Sequence, residues 1–192
     1  LVCVELCSIT FQHGDRSRRN LIAASLFADG AAALVLEGDH LAARRAPAQP
    51  RMVDTMSTIW PDTTDIMGWD IVDSGMRVVF SPRIPGIIAT DMRPTIEELL
   101  ARHGLDLGDI AHWILHPGGA KVIRAYETAL EIDPERLQPT RDVLREHGNM
   151  SSCTVFFVFE RFLRHRRPAA GEYGILAVLG PGFSCELALI QG

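Results

Sequence analysis

His116-Pro117-Gly118-Gly119 closes the short apolar run Trp113-Ile114-Leu115 and opens an amphipathic stretch from Lys121 to Leu130. A short apolar run followed by apolar positions at helical spacing reads as strand, turn and helix. Pro117 fixes φ at the first position of a turn or helix, and the glycines let a ligand approach the backbone closely. The turn therefore presents His116 to a cleft. Downstream, Gly148-Asn149-Met150-Ser151-Ser152 follows a second helical segment, Pro139 to His147, with Gly148 as its C′ residue. Ser151 is expected to cap the apolar run Cys153 to Leu163, which leaves Asn149 at a joint between two helices. A histidine and an asparagine each held at a turn can aim two N–H donors at one oxygen, the arrangement that stabilises an enolate or oxyanion.

Outward from these motifs, strands and helices alternate. Leu1 to Phe11 is strand-like, with Leu1 to Leu6 reading as buried, and Gln12 to Asn20 is a polar loop. Leu21 to Phe27 is a short helix, and Ala28-Asp29-Gly30 turns into a buried strand from Ala31 to Leu36. Asp39 to Pro50 is polar and reads as a connection. Met52 to Ile59 alternates as a strand does, and Asp70 to Phe80 holds two strands turned at Asp73-Ser74-Gly75. Pro85 to His103 has helical spacing, with Pro94 marking either a kink or the first turn of a second helix. Asp133-Pro134-Glu135 opens a short helix, and a hairpin around Gly180-Pro181-Gly182 closes the chain. The pattern is that of a layered α/β sheet.

With 192 residues, a net charge of −5 and 47% hydrophobic residues, the chain suits one domain with a real core. Mild acidity argues against nucleic acid as a partner. The basic run Arg161 to Arg167 reads as the solvated end of a helix, its cations matched to the C-terminal dipole. No apolar run reaches about 18 residues and no signal peptide is visible, so no membrane span and a cytoplasmic setting are expected. Leu1 in place of methionine, with a strand and no lead-in, suggests a piece of a longer protein. Cys3, Cys7, Cys153 and Cys185 lie in apolar surroundings without Cys-x-x-Cys spacing, which supports neither zinc nor a disulfide framework.

The segments ELCSITF (5–11), LFADGAAA (26–33), Met67-Gly68-Trp69, HPGG (116–119), GNMSS (148–152) and Gly180-Pro181-Gly182 together resemble the C-terminal half of a type III polyketide synthase, a chalcone-synthase-like enzyme of the thiolase fold. The resemblance implies residues 1–40 as the last elements of an N-terminal thiolase-like half and 41–192 as the C-terminal half. It implies a Cys–His–Asn triad that loads an acyl group from coenzyme A, decarboxylates malonyl-CoA and condenses the two. His116 and Asn149 match two members of that triad. The matching cysteine lies before Leu1, so this chain alone is expected to be inactive.

Further roles follow from the same resemblance. Phe27 matches the aromatic that gates the pocket below the coenzyme A tunnel, and Ser151 a serine lining the cavity behind the triad. Cys7 and Val78 stand where plant members carry threonine and a second gating phenylalanine, and Trp69 stands where they carry glycine. Val78 widens the entrance, Cys7 resembles members that accept long aliphatic starters, and Trp69 fills space. Gly180 and Pro181 match the scaffold loop near the site. Lys121 is placed to reach a coenzyme A phosphate, or is an ordinary exposed helix lysine. The implied substrates are acyl-CoA, of the fatty-acyl kind, and malonyl-CoA. No metal or redox cofactor is expected, and the intact parent is expected to be a homodimer making a pyrone or resorcinol ring. Two other readings stay open: a non-enzymatic remnant that binds acyl-CoA or pairs with a full-length subunit, and an initiating ketoacyl-carrier-protein synthase.

Overall fold

The structure is a computed structural model that describes residues 1–42, 44 and 49–192. The expected connection, Asp39 to Pro50, lies partly outside the described residues. At the N-terminus, β1 (Val2–Glu5) pairs antiparallel with β2 (Gly30–Ala33) in a sheet of its own. Between them lie a 3-10 turn (Cys7–Thr10) and α1 (Arg18–Leu26). Ser17 caps α1 by accepting from the Asn20 N–H, so the helix starts three residues before the expected Leu21.

Two expectations for this region fail. Leu1 to Phe11 is not one strand, because the chain turns into the 3-10 segment after Leu6, and that turn brings Cys7 against Ser151. Nor is Leu1 to Leu6 buried. One face of the β1–β2 ladder packs on the 3-10 turn Ser151–Cys153 and on the helix that follows it, so Leu1, Val2, Val4 and Leu6 stay more than half exposed. The second expected strand also stops at Ala33, leaving Val35 and Leu36 exposed.

After the short α2 (Asp39–Ala42) come β3 (Arg51–Ile59) and an isolated hairpin of β4 (Met67–Val72) and β5 (Gly75–Phe80). The stretch from Ile84 is α3 (Ile84–Ile87), a π turn (Ile88–Met92) and α4 (Arg93–Ala101), with Pro94 in the first turn of α4. Proline has no N–H and crowds the carbonyl four residues back. The wider π turn provides room there, and the Asp91 carbonyl accepts from the Thr95 hydroxyl at 2.6 Å.

The remaining elements are β6 (Ile110–Leu115), α5 (Ala120–Leu130), α6 (Gln138–His147), α7 (Thr154–His165), β7 (Tyr173–Gly180) and β8 (Ser184–Gln191). The central sheet runs β3-β8-β7-β6, antiparallel except for the β6–β7 pair. Successive residues of β6 face opposite layers, as the two-residue strand period requires. Trp113 and Leu115 join α4 and α5 in the larger core, whereas Ile114 joins Val155, Val158 and Phe162 of α7 in the smaller. The result is helix, sheet and helix in three layers. The basic run at the end of α7 is answered by acids: Arg161 pairs with Glu146 and Asp142 of α6, and Arg164 with Glu160. Among the described residues no helix is long and apolar enough to cross a membrane.

Candidate active site

β6 ends at Leu115, and the His116 N–H still reaches the Ala177 carbonyl of β7 at 2.9 Å, so sheet pairing fixes the backbone that carries the imidazole. Pro117 to Gly119 then turn the chain into α5. Opposite this turn, α6 ends at Gly148 with φ +73°, where an added Cβ would sit 3.0 Å from the Leu26 carbonyl oxygen. That close approach lets Asn149 pair as an isolated bridge with Phe27. Its N–H donates to Leu26 at 2.8 Å, and its carbonyl accepts from the Ala28 N–H at 2.9 Å.

The Asn149 amide is oriented by its neighbours. Its Oδ1 accepts from the Ser151 N–H at 2.9 Å and from the Thr154 hydroxyl at 3.5 Å. Because the Ser151 N–H can only donate, the amide oxygen is identified and Nδ2 must point the other way, where it donates to the Gly118 carbonyl at 3.4 Å. The Ser151 bond is an Asx turn, and it corrects the expected cap. Ser151 sits at φ +49° with no capping hydrogen bond onto α7. It is the Thr154 hydroxyl that accepts from the Met150 N–H, at 2.8 Å.

His116 and Asn149 open into one cavity of about 470 Å³. Phe27, Trp69, Val78, Ser151, Gly180 and Pro181 line it too, along with Met67, Phe80, Val155 and Phe156. A smaller cavity of about 300 Å³ is lined by Cys7, Thr10, Phe11 and Asn20. Phe27, Trp69 and Val78 line both, so they stand at the boundary, or throat, where the two chambers adjoin. Cys7 thus lies in the second chamber, its Sγ 3.5 Å from the Ser151 hydroxyl. Lys121 is exposed in the first turn of α5 and lines neither chamber.

Glu5 and Ser152 also line the larger chamber, and Glu5 Oε1 accepts from the Ser152 hydroxyl at 2.5 Å. They are 147 residues apart and carry no joint signal in the sequence. Phe80 packs edge-to-face on Phe27, with ring centroids 6.2 Å apart. Alternation in β5 places Phe80 on the face of Val78, and that was the signal available for it.

His116 is buried, and burial pushes its imidazole down to about 4. It is therefore neutral at pH 7, carrying one N–H donor and no charge. Unfolded, the imidazole takes a proton near pH 6.5, whereas the folded one refuses it until about 4. This contribution to stability is complete above the unfolded value and is lost as pH falls through that window, roughly 3 kcal/mol in all. Denaturant midpoints measured at pH 7 and pH 4 should differ less for His116→Gln than for the natural chain. Equal differences would remove His116 as the cause. Burial also pushes the Cys7 and Cys153 thiols up, and that of Cys185 up to about 12, so these three are held as thiols.

Residues 51–192 match the sequence pattern described as "Chalcone and stilbene synthases, C-terminal domain". The chain belongs to this family. Among curated relatives, 1,3,6,8-tetrahydroxynaphthalene synthase of Streptomyces peucetius subsp. caesius is 42% identical, over 100% of this chain and 50% of that protein. 3,5-Dihydroxyphenylacetyl-CoA synthase of Streptomyces toyocaensis is 35% identical, over 100% of this chain and 50% of that protein. The solved tetrahydroxynaphthalene synthase of Streptomyces coelicolor A3(2), a bacterial type III polyketide synthase, superposes with a TM-score of 0.89 at 30% identity. That match covers 99% of this chain and 53% of that one. The three-layer architecture is thus the thiolase-like α/β fold of type III polyketide synthases. The chain spans about half the length of the curated relatives it matches.

Proposed function

We propose that this chain provides the decarboxylation and condensation half of a type III polyketide synthase site, with His116 and Asn149 as the two donors to one enolate oxygen. The observation that carries this reading is the Asn149 amide, whose oxygen is tied back by Ser151 and Thr154 so that Nδ2 is turned to the Gly118 carbonyl of the His116 turn, with His116 and Asn149 lining one largely apolar cavity. In such a pocket, oriented dipoles need no reorganisation as charge develops.

A cysteine outside these 192 residues attacks an acyl-CoA, releasing coenzyme A and leaving an acyl thioester on the enzyme. Malonyl-CoA binds with its thioester carbonyl toward His116 and Asn149. As carbon dioxide leaves, the electron pair of the broken bond passes into the enolate, whose oxygen accepts both N–H donors. The carbanion then attacks the acyl-cysteine and the thiolate departs. Repetition lengthens the chain before ring closure. No metal or redox cofactor enters this scheme. The intact protein is proposed to act in the cytoplasm as a homodimer, with no nucleic-acid partner.

Cys7 and Val78, which line the smaller chamber, support a fatty-acyl starter, because Val78 takes up less space than a second aromatic ring would, whereas Trp69 fills part of the same space. Pyrone or resorcinol products follow. The name of the 35% identical relative contains a 3,5-dihydroxyphenyl group, which is a resorcinol-type ring, and this supports the second closure. The test is to supply the intact protein with malonyl-CoA, with and without fatty acyl-CoA, and to identify products by mass spectrometry. Ring products carrying the starter's alkyl chain are expected. Products formed only without a starter would remove the fatty-acyl reading, and acyl-CoA binding with no carbon–carbon bond formation would remove the enzymatic one.

A further inference from the structure

The throat between the two chambers has walls on two separate elements. Phe27 stands at the C-terminal end of α1, whereas Trp69 and Val78 face each other across the β4–β5 hairpin. That hairpin is a sheet of its own with Ile71 and Met76 exposed, and its β5 packs on α1 and on the 3-10 turn Cys7–Thr10. Gln12 connects the two walls. Only 7% exposed, it donates through Nε2 to the Met76 carbonyl at 3.1 Å and to the Ser74 carbonyl at 3.4 Å, and its Oε1 accepts from the Ser74 hydroxyl. On its other side, the buried Asn20 of α1 donates through Nδ2 to the Gln12 carbonyl at 2.9 Å and to the Asp15 carbonyl at 2.7 Å. A buried hydrogen-bonded chain therefore runs from the helix that carries Phe27, through Asn20 and Gln12, to the turn of the hairpin that carries Trp69 and Val78.

We infer that Gln12 is a positioning residue that latches the β4–β5 hairpin to α1 and so sets the width of the throat, and with it which acyl chains pass. Buried polar chains of this kind are stiff when fully satisfied and costly when broken. Gln12 does not line the larger chamber, so its effect on selectivity acts through the hairpin. The inference rests on the proposed condensation only for its consequence; the latch itself is a property of this chain.

Two measurements separate the latch from the reaction. Cys7 lines the smaller chamber beside Trp69 and Val78, so the rate at which a maleimide modifies Cys7, localised by peptide mass spectrometry, reports how far the hairpin stands off. In the intact protein, Gln12→Leu keeps the side-chain bulk but loses its hydrogen bonds, and it should raise that rate about fivefold. Ser74→Ala, in an exposed turn, should raise it about twofold with unchanged circular dichroism. Should Gln12→Leu fail to fold, Ser74→Ala decides the question. Labelling at the natural rate in the folded variants would overturn the latch, whether or not the intact protein condenses malonyl-CoA. In the intact synthase, Gln12→Leu should shift the ratio of kcat/KM between long and short acyl-CoA starters by about fivefold while kcat on the preferred starter stays within about twofold. An equal loss on all starters would refute control of selectivity.

Discussion

Replacing Asn149 by alanine should slow malonyl-CoA decarboxylation by about 10²–10³-fold in an intact synthase whose nucleophilic cysteine has been changed to a non-nucleophilic residue. Decarboxylation needs donors for the enolate oxygen and a dry place for the leaving carboxylate, but no nucleophile. The cysteine-free background would therefore isolate the roles proposed for His116 and Asn149. His116→Ala should lose as much, since each change leaves a single donor, and the double variant should lose little more because the two act as a unit. Asn149→Asp is a sharper probe. It retains the oxygen that Ser151 and Thr154 hold but sets an anion where Nδ2 was, so it should fall below the alanine variant. Carbon dioxide release at the same rate in the folded background and its Asn149→Ala derivative would end the two-donor account.

The second large effect concerns stability. A Cβ added at Gly30 would lie 2.8 Å from the Met150 Cβ and 2.7 Å from its Sδ. The Cβ contact is to a rigid part of the side chain, so Gly30→Ala must move either β2 or the joint after α6. The Gly30 carbonyl also accepts from the Cys153 Sγ at 3.3 Å, which ties the same two segments. Overpacking of this kind costs about 1–3 kcal/mol, and Gly30→Val should cost more. Denaturant unfolding of the natural chain and both variants checks this, and full stability in Gly30→Val would show that the β1–β2 layer does not depend on Met150.

Much of this architecture was legible locally. The HPGG turn followed from a strand period giving way to a helical one, and Gly148 ends α6 where a helix C-terminus calls for positive φ. The joint after it was harder to read, because Asn149 and Ser151 compete for the same backbone donors, and residue type alone does not say that the asparagine oxygen takes the Ser151 N–H. The N-terminal strand misled for another reason. Apolar composition in Leu1 to Leu6 shows that a surface suits burial, but not whether an element of the same chain covers it. Residue identity likewise gave no sign of the Glu5–Ser152 pair or of the Gln12 chain, since both join segments far apart in sequence and only the assembled layers bring them together.

The bridge between Phe27 and Asn149 is made entirely of main-chain atoms, with Leu26 and Ala28 as the partners on the α1 side. Any residue able to keep its own N–H bonded to Ala23 can occupy position 27 without disturbing that bridge. On the proposed reading, substitution there would change the obstacle a molecule meets on the way in, while the Asn149 amide keeps its anchor. Repertoire and reactivity can thus diverge along a lineage at separate rates, and a population of such proteins can explore new molecules through one side chain without first surviving the loss of its chemistry.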